Sequence, residues 1–229
     1  MRYGLIGAMD EEVEWLKSQM TVDYEETIAN CHFIVGQLHD HDVVLLRSGI
    51  GKVNAAISTT LLHERFQPDY VINTGSSGGV DQSLNVGDIV IGTETIHHDA
   101  DATAFGYTHG QIPQMPARFR SDDELVKRAQ QAKEILPDDV TVAEGLIGTG
   151  DSFMSDYERV QTVAKRFPDV KALEMEAVSI AQVCHQYDTP CLIIRSLSDI
   201  AGQSSDISFE AYLEKAAKNS ATLIAEMLT

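Results

Sequence analysis

Carboxylates placed where an apolar run gives way to a turn are the residues of this chain best suited to moving protons. Leu173-Glu174-Met175-Glu176-Ala177 sets two acids around a methionine, between an apolar strand and an apolar helix. At two-residue spacing on a strand end both face the same way, and burying both without partners is costly. A sugar diol fits as that partner, since a carboxylate can accept two hydroxyl hydrogen bonds. Asp199 follows the apolar run Cys191 to Leu197. A carboxyl shielded from water there has a raised pKa and can act as a proton donor near neutral pH.

Other clusters are weaker signals. Asp10, Glu11 and Glu12 open a helix, where acids complement the helix dipole. Gly75-Ser76-Ser77-Gly78-Gly79 fits neither the P-loop nor the dinucleotide fingerprint, so a phosphate cradle is not expected. His97-His98-Asp99-Ala100-Asp101 has two adjacent histidines, which rarely aim at one ion, and no helical H-x-x-x-H accompanies them. No metal and no cofactor are expected. Cys31, Cys184 and Cys191 form no C-x-x-C pair and read as reduced, mostly buried thiols.

The elements that must hold these residues alternate between short β-type runs and helix-period segments, the pattern of an α/β sheet protein. Strands are expected at Arg2–Ala8, 32–38, 42–48, Tyr70–Thr74, Val86–Gly92, Val140–Gly148, Val170–Leu173 and Cys191–Leu197. Helices are expected at Asp10–Met20, Gly51–Phe66, Asp156–Phe167, Glu176–Tyr187 and Phe209–Leu228, with another running from a Ser121 cap to about Leu136. The Gly51–Phe66 helix carries Val53, Ala56, Ile57, Thr60 and Leu61 on one face. Thr95 to Arg120 shows no period, and a loop that long in a compact domain is a functional one. Ligands bind beyond the carboxyl ends of strands in such sheets, where the acids and glycine turns converge.

The 229 residues suffice for one α/β domain spanning 1–229, without linker, repeat or low-complexity tract. Met1 to Ala8 runs straight into a strand and lacks a signal-peptide core, and no run approaches the roughly 20 apolar residues of a membrane span. A soluble, cytoplasmic protein is expected. The formal charge of −18, from 35 acids against 17 bases, disfavours nucleic acid as a partner.

Taken in order, the segments resemble the 5′-methylthioadenosine/S-adenosylhomocysteine nucleosidases of the nucleoside phosphorylase superfamily. The likeness runs through Ile6-Gly7-Ala8-Met9 to Glu12, Ser48-Gly49-Ile50-Gly51-Lys52-Val53, Asn73-Thr74-Gly75-Ser76 to Gly79, and Val86-Gly87-Asp88. It continues through His98-Asp99-Ala100-Asp101 to Phe105-Gly106-Tyr107, Gly150-Asp151-Ser152-Phe153, Glu174-Met175-Glu176-Ala177, Arg195-Ser196-Leu197-Ser198-Asp199 and the segment around Phe209.

That resemblance implies a three-layer α/β/α sandwich around a mixed, twisted sheet, as a homodimer. It implies hydrolysis of the N-glycosidic bond of methylthioadenosine and S-adenosylhomocysteine, and of 5′-deoxyadenosine. By the same resemblance, Glu12 activates the attacking water, supported by Ser76 and Arg195. Asp199, fixed by Ser198, protonates N7 of adenine. Glu176 binds the ribose hydroxyls and Met175 packs on the sugar. Phe153 stacks on the purine, whose edge is read by backbone at Phe153 and Met154. Met9, Ile50 and Phe209 line the thioether pocket, joined by Phe105 of the neighbouring subunit.

The chemistry is coherent, because bond cleavage leaves positive charge on the ribose and negative charge on the purine. Three other readings stay open. A phosphorolase on the same fold would need cations around phosphate, whereas the first turn offers acids. A hydrolase of a futalosine-type nucleoside would share the site. A non-catalytic adenine-nucleoside sensor would have no need of both Glu12 and Asp199.

Overall fold

The computed structural model describes residues 1–203 and 205–229, with backbone alone at 205–208 and 210. Its strands are β1 (Arg2–Gly7), β2 (Thr21–Ile28), β3 (Cys31–Leu38), β4 (His41–Arg47), β5 (Tyr70–Asn73), β6 (Ser76–Gly79), β7 (Ile89–His97), β8 (Phe119–Arg120), β9 (Val142–Thr149), β10 (Val170–Glu174) and β11 (Cys191–Ile200). Its helices are α1 (Asp10–Gln19), α2 (Lys52–Phe66), α3 (Asp123–Ala132), α4 (Tyr157–Arg166), α5 (Ala177–Gln186) and α6 (Ser205–Met227).

The strands form one mixed sheet in the order β2-β3-β4-β1-β5-β11-β6-β10-β9-β7-β8. Alternation along each strand divides the core in two. Tyr3 and Leu5, Val43 and Leu45, Leu192 and Ile194 face α1, α3 and α6. Ile6, Val44, Leu46, Val71 and Ile193 face α2 and α5 on the opposite side. Two-sided burial explains why these strands read as continuous apolar runs. The result is the expected three-layer α/β/α sandwich around a mixed sheet, with α4 packing through Val160 and Val163 on Leu146 and Leu173.

β11 organises the site. It lies parallel to β5 and β6 and antiparallel to β7, so β11, β6, β10, β9 and β7 close into a ring. Its register against β6 slips between Leu197 and Asp199. A bulge of that kind re-aims side chains. It lets the consecutive Ser198 and Asp199 meet, where a regular strand would point them to opposite faces.

The structure departs from the sequence reading at several elements. β2 is an additional edge strand, and β6 forms where the glycine-rich sequence points to a turn. β7 runs on to His97, and the expected loop to Arg120 holds a 3-10 turn at Thr103–Phe105 and the short β8. Asp122, not Ser121, caps α3, accepting from Glu124 and Leu125 N–H at 3.1 and 3.0 Å. The face of α2 is also reversed. Ala55, Ser58, Thr59, Leu62, His63 and Phe66 are buried, whereas Val53 and Ile57 are 69% and 44% exposed. Burial of Ser58 and Thr59 is tolerated because both hydroxyls donate to Ala55 O, at 3.0 and 2.7 Å.

Candidate active site

Parallel alignment of β1, β4 and β5 puts Gly7, Arg47 and Asn73 at one edge of the sheet. Just beyond these strand ends lie Glu12 in the first turn of α1, Ile50 in the turn before α2 and Ser76 at the start of β6. From the other side, Leu173 of β10 pairs with Gly78 of β6, and Gly78 with Asp199 of β11. That row brings the Glu174–Glu176 segment against Asp199, although β10 and β11 run in opposite senses.

A cavity of about 260 Å³ opens where these turns meet. Glu12, Glu174, Glu176 and Asp199 all reach it, together with Ser76 and Ser198. Met9, Ile50, Met175, Phe153 and Phe209 supply its apolar walls, the two phenyl rings packing edge to face with centroids 5.7 Å apart. A smaller recess of about 30 Å³ adjoins Asp199 and is lined by Gly78, Ser152 and Met154.

Glu12 is held on all sides. One oxygen accepts from Ala8 N–H at 2.7 Å and Met9 N–H at 3.3 Å, the other from Ser76 N–H at 2.9 Å and Ser76 Oγ at 3.0 Å. The Met9 bond is the backbone half of a helix-start motif in which the third helical residue reaches back to the cap. Gly75 makes the approach from β6 possible, because a Cβ there would stand 2.9 Å from Glu12 Oε1. Four donors match the roughly four acceptor sites of a carboxylate. The Ser76 hydroxyl is the only one of the four free to turn away for an incoming water.

The two acids around Met175, expected to act together, have separate roles. Glu174 turns inward: Oε2 accepts from Glu176 N–H at 2.9 Å, Ala177 N–H at 2.8 Å and Arg195 Nη2 at 2.8 Å, and Oε1 accepts from the Thr149 hydroxyl. It thereby satisfies orphan donors at the start of α5 and neutralises the fully buried Arg195. Glu176 stays on the cavity and accepts from Gly51 N–H at 2.7 Å. Burial above all, then the neighbouring Glu174 carboxylate, pushes Glu176 up to about 8, against the pull of Gly51 N–H and Arg195 and with a further push from Glu12. Asp199 is buried, and one oxygen accepts from Ser198 Oγ at 2.8 Å.

Arg195, expected to support the water and Glu12 together with Ser76, donates its hydrogen bonds elsewhere among the described residues. Its Nη2 donates to Glu174 Oε2 at 2.8 Å and Asn73 Oδ1 at 2.5 Å, and its Nη1 to Ile194 O at 3.0 Å and Asn73 O at 3.5 Å. Phe105 does not line the cavity of its own chain; it stands 83% exposed on the 3-10 turn. Sequence reasoning missed the backbone N–H groups of Ala8, Gly51 and Ser76, whose positions only the fold reveals. A larger hollow of about 450 Å³ lies between Pro116–Asp122 and the turn from α5 to β11. Its Arg118 is already paired with Glu94 and Asp169, at 3.0 and 2.6 Å. No group of three or more potential metal ligands occurs among the described residues.

Comparison with known proteins adds a family likeness to this geometry. The model of the phosphorylase superfamily matches residues 2–229. A 5′-methylthioadenosine/S-adenosylhomocysteine nucleosidase of Geobacillus sp. (strain WCH70) is 56% identical over 230 residues, spanning 100% of this chain and 98% of that protein. The crystal structure of a nucleosidase of that name from Colwellia psychrerythraea, in complex with adenine, superposes with a TM-score of 0.97 at 50% identity, over 100% of this chain and 94% of that one. One from Neisseria meningitidis, in complex with methylthio-immucillin-A, does so with 0.97 at 48% identity, over 99% and 98%.

Proposed function

From the premise that this chain belongs to the 5′-methylthioadenosine/S-adenosylhomocysteine nucleosidases of the phosphorylase superfamily, we propose that it hydrolyses the N-glycosidic bond of those two nucleosides and of 5′-deoxyadenosine. The observation that carries the reading is the convergence of Glu12, Glu176 and Asp199 on one apolar-walled cavity.

In this reading the purine lies on Phe153 with its N7 at Asp199, and backbone around Phe153 and Met154 meets its edge. Asp199 delivers a proton to N7 as the bond breaks, so adenine leaves neutral. Ser198 holds the carboxyl in place for that transfer. Glu176 accepts from the ribose hydroxyls in its ionised form, whose share grows as pH rises toward about 8, and the Glu12 carboxylate favours the oxocarbenium-like sugar. A water enters where the Ser76 hydroxyl turns away from Glu12, gives Glu12 its proton and adds to C1′. Arg195 acts indirectly, by holding Glu174 at the start of α5. The 5′-thioether group lies among Met9, Ile50 and Phe209, an environment that suits sulfur and alkyl carbon but strands a hydroxyl.

Phosphorolysis is disfavoured because no lysine or arginine lines the cavity among the described residues to hold a phosphate, whereas the Glu12 carboxylate would repel it. The protein acts as a homodimer in this reading, with Phe105 closing the 5′ pocket of a second copy. The exposed Val53, Ile57 and Phe105 support that, because apolar groups standing free on one chain need a surface to cover.

Glu12→Gln tests the assignment. Turnover should fall by roughly two to four orders of magnitude, with the dissociation constant for methylthioadenosine nearly unchanged. A folded variant that loses affinity but keeps turnover would make Glu12 a binding residue instead.

A further inference from the structure

Gly51 N–H is the one hydrogen bond that the described residues give the Glu176 carboxylate, and the residues that place this N–H lie outside the cavity. Gly51 sits at φ +93°, just before α2, and has no side chain with which to cap the helix. The cap comes from a distant turn: Asp151 Oδ1 accepts from Lys52 N–H at 2.8 Å. The Lys52 ammonium reaches both oxygens of Asp99, at 2.7 and 2.9 Å. Asp99 closes the circuit, its Oδ2 accepting from Asp151 N–H at 3.1 Å.

Three segments are joined in this way: the start of α2, the turn after β7 and the turn after β9. The Ser48–Gly51 turn is tied on its near side to the end of β1 and the residue after it, through Ser48 N–H on Gly7 O and Gly49 N–H on Ala8 O. The circuit ties its far side. The turn after β9 is itself fixed, by Gly150 N–H on Glu174 O at 3.1 Å and by His98, which leaves no room for a Cβ at Gly150. The Lys52 and Asp99 side chains keep 21% and 33% of their surface exposed, so solvent screens part of their attraction and geometry carries the contact. Burial alone would push the Asp99 carboxyl up, but the Lys52 ammonium and Asp151 N–H outweigh it and hold it below its usual range. None of Lys52, Asp99 and Asp151 lines the cavity.

We propose that Lys52, Asp99 and Asp151 form a latch that holds Gly51 N–H on Glu176, and so act as positioning residues for recognition of the ribose hydroxyls. The inference rests on the reading of Glu176 as the ribose carboxylate. The latch orients one oxygen of Glu176 from the back and leaves the other to the diol. Releasing it frees Glu176 to rotate, with little consequence for the purine wall at Phe153.

Steady-state kinetics of Lys52→Met, Asp99→Asn, the double variant and Lys52→Arg test this. Each single variant should raise KM for methylthioadenosine roughly 10-fold or more, the effect of one hydrogen bond to a charged group. Inhibition by adenine alone, and by a 2′,3′-dideoxy analogue of methylthioadenosine, should stay within about 2-fold of wild type. Lys52→Arg, which can still bridge both oxygens of Asp99, should restore KM. The double variant should be no worse than either single one, since both break one circuit. Asp99→Asn keeps the side-chain shape, so a folded variant is available if Lys52→Met does not fold. Unchanged KM, parallel weakening of adenine, or additive losses would overturn the latch. Wild-type protein inert toward methylthioadenosine would instead overturn the functional reading.

Discussion

Glu176 is a carboxylate that changes charge close to neutral pH, because burial and Glu174 lift it to about 8. The groups facing it are Glu174 from β10, Arg195 from β11, Glu12 from α1 and Gly51 N–H ahead of α2. Below about 8 it is protonated and accepts the sugar diol poorly; above, both oxygens accept. Affinity for a methylthioadenosine analogue should therefore strengthen as pH rises through about 8, and Glu176→Gln should flatten that dependence. Calorimetric titration across pH checks this, and a flat wild-type profile would contradict it. The same shift bears on stability. A raised acid favours the folded state in its protonated form, so its contribution is lost as pH climbs from about 4.5 to about 8. At Asp199 the expectation is kinetic. Asp199→Asn should lower kcat by roughly two to four orders of magnitude, the range of general acid catalysis, while near-normal turnover in the folded variant would remove it from the mechanism.

At the scale of elements, the turn between β5 and β6 is where backbone and chemistry meet. Gly75→Ala would drive a methyl against Glu12, 2.9 Å from Oε1, and should cut turnover while adenine still binds. Asp122→Ala serves as the contrast: removing the α3 cap should cost about 1 kcal/mol of stability, read as a lowered melting temperature, with kcat unchanged. Retained turnover in Gly75→Ala would show that Glu12 need not be held so tightly. Most of the sheet was legible because its central strands are buried on both faces and spell apolar runs. β2 was not, since an edge strand of Thr21–Ile28 with scarcely any buried side chain leaves no alternation to read. Ser-Ser-Gly-Gly of β6 has no apolar side chain either, and only its pairing with β11 and β10 makes it a strand. The carboxylates of the cavity were visible as residues, but not their division of labour. Glu174 and Glu176 differ by which backbone N–H groups reach them, and that depends on the fold.

At the scale of the whole molecule, no helix among the described residues is long and apolar enough to cross a membrane. Against a formal charge of −18, the apolar side chains left standing on the surface are the feature to be explained, and a second copy of the chain is the proposed cover. Phe105→Ala should raise KM for methylthioadenosine more than for adenosine, which has little apolar surface at 5′ to bury. Activity should fall on dilution in step with the loss of dimer in sedimentation; a fully active monomer would remove Phe105 from the site. The central claim is that water, not phosphate, takes the ribosyl group. The direct measurement is the product formed from methylthioadenosine in phosphate-free buffer and again in excess phosphate. Free adenine and methylthioribose at the same rate in both is the predicted result, and methylthioribose-1-phosphate as the main product in phosphate would contradict it.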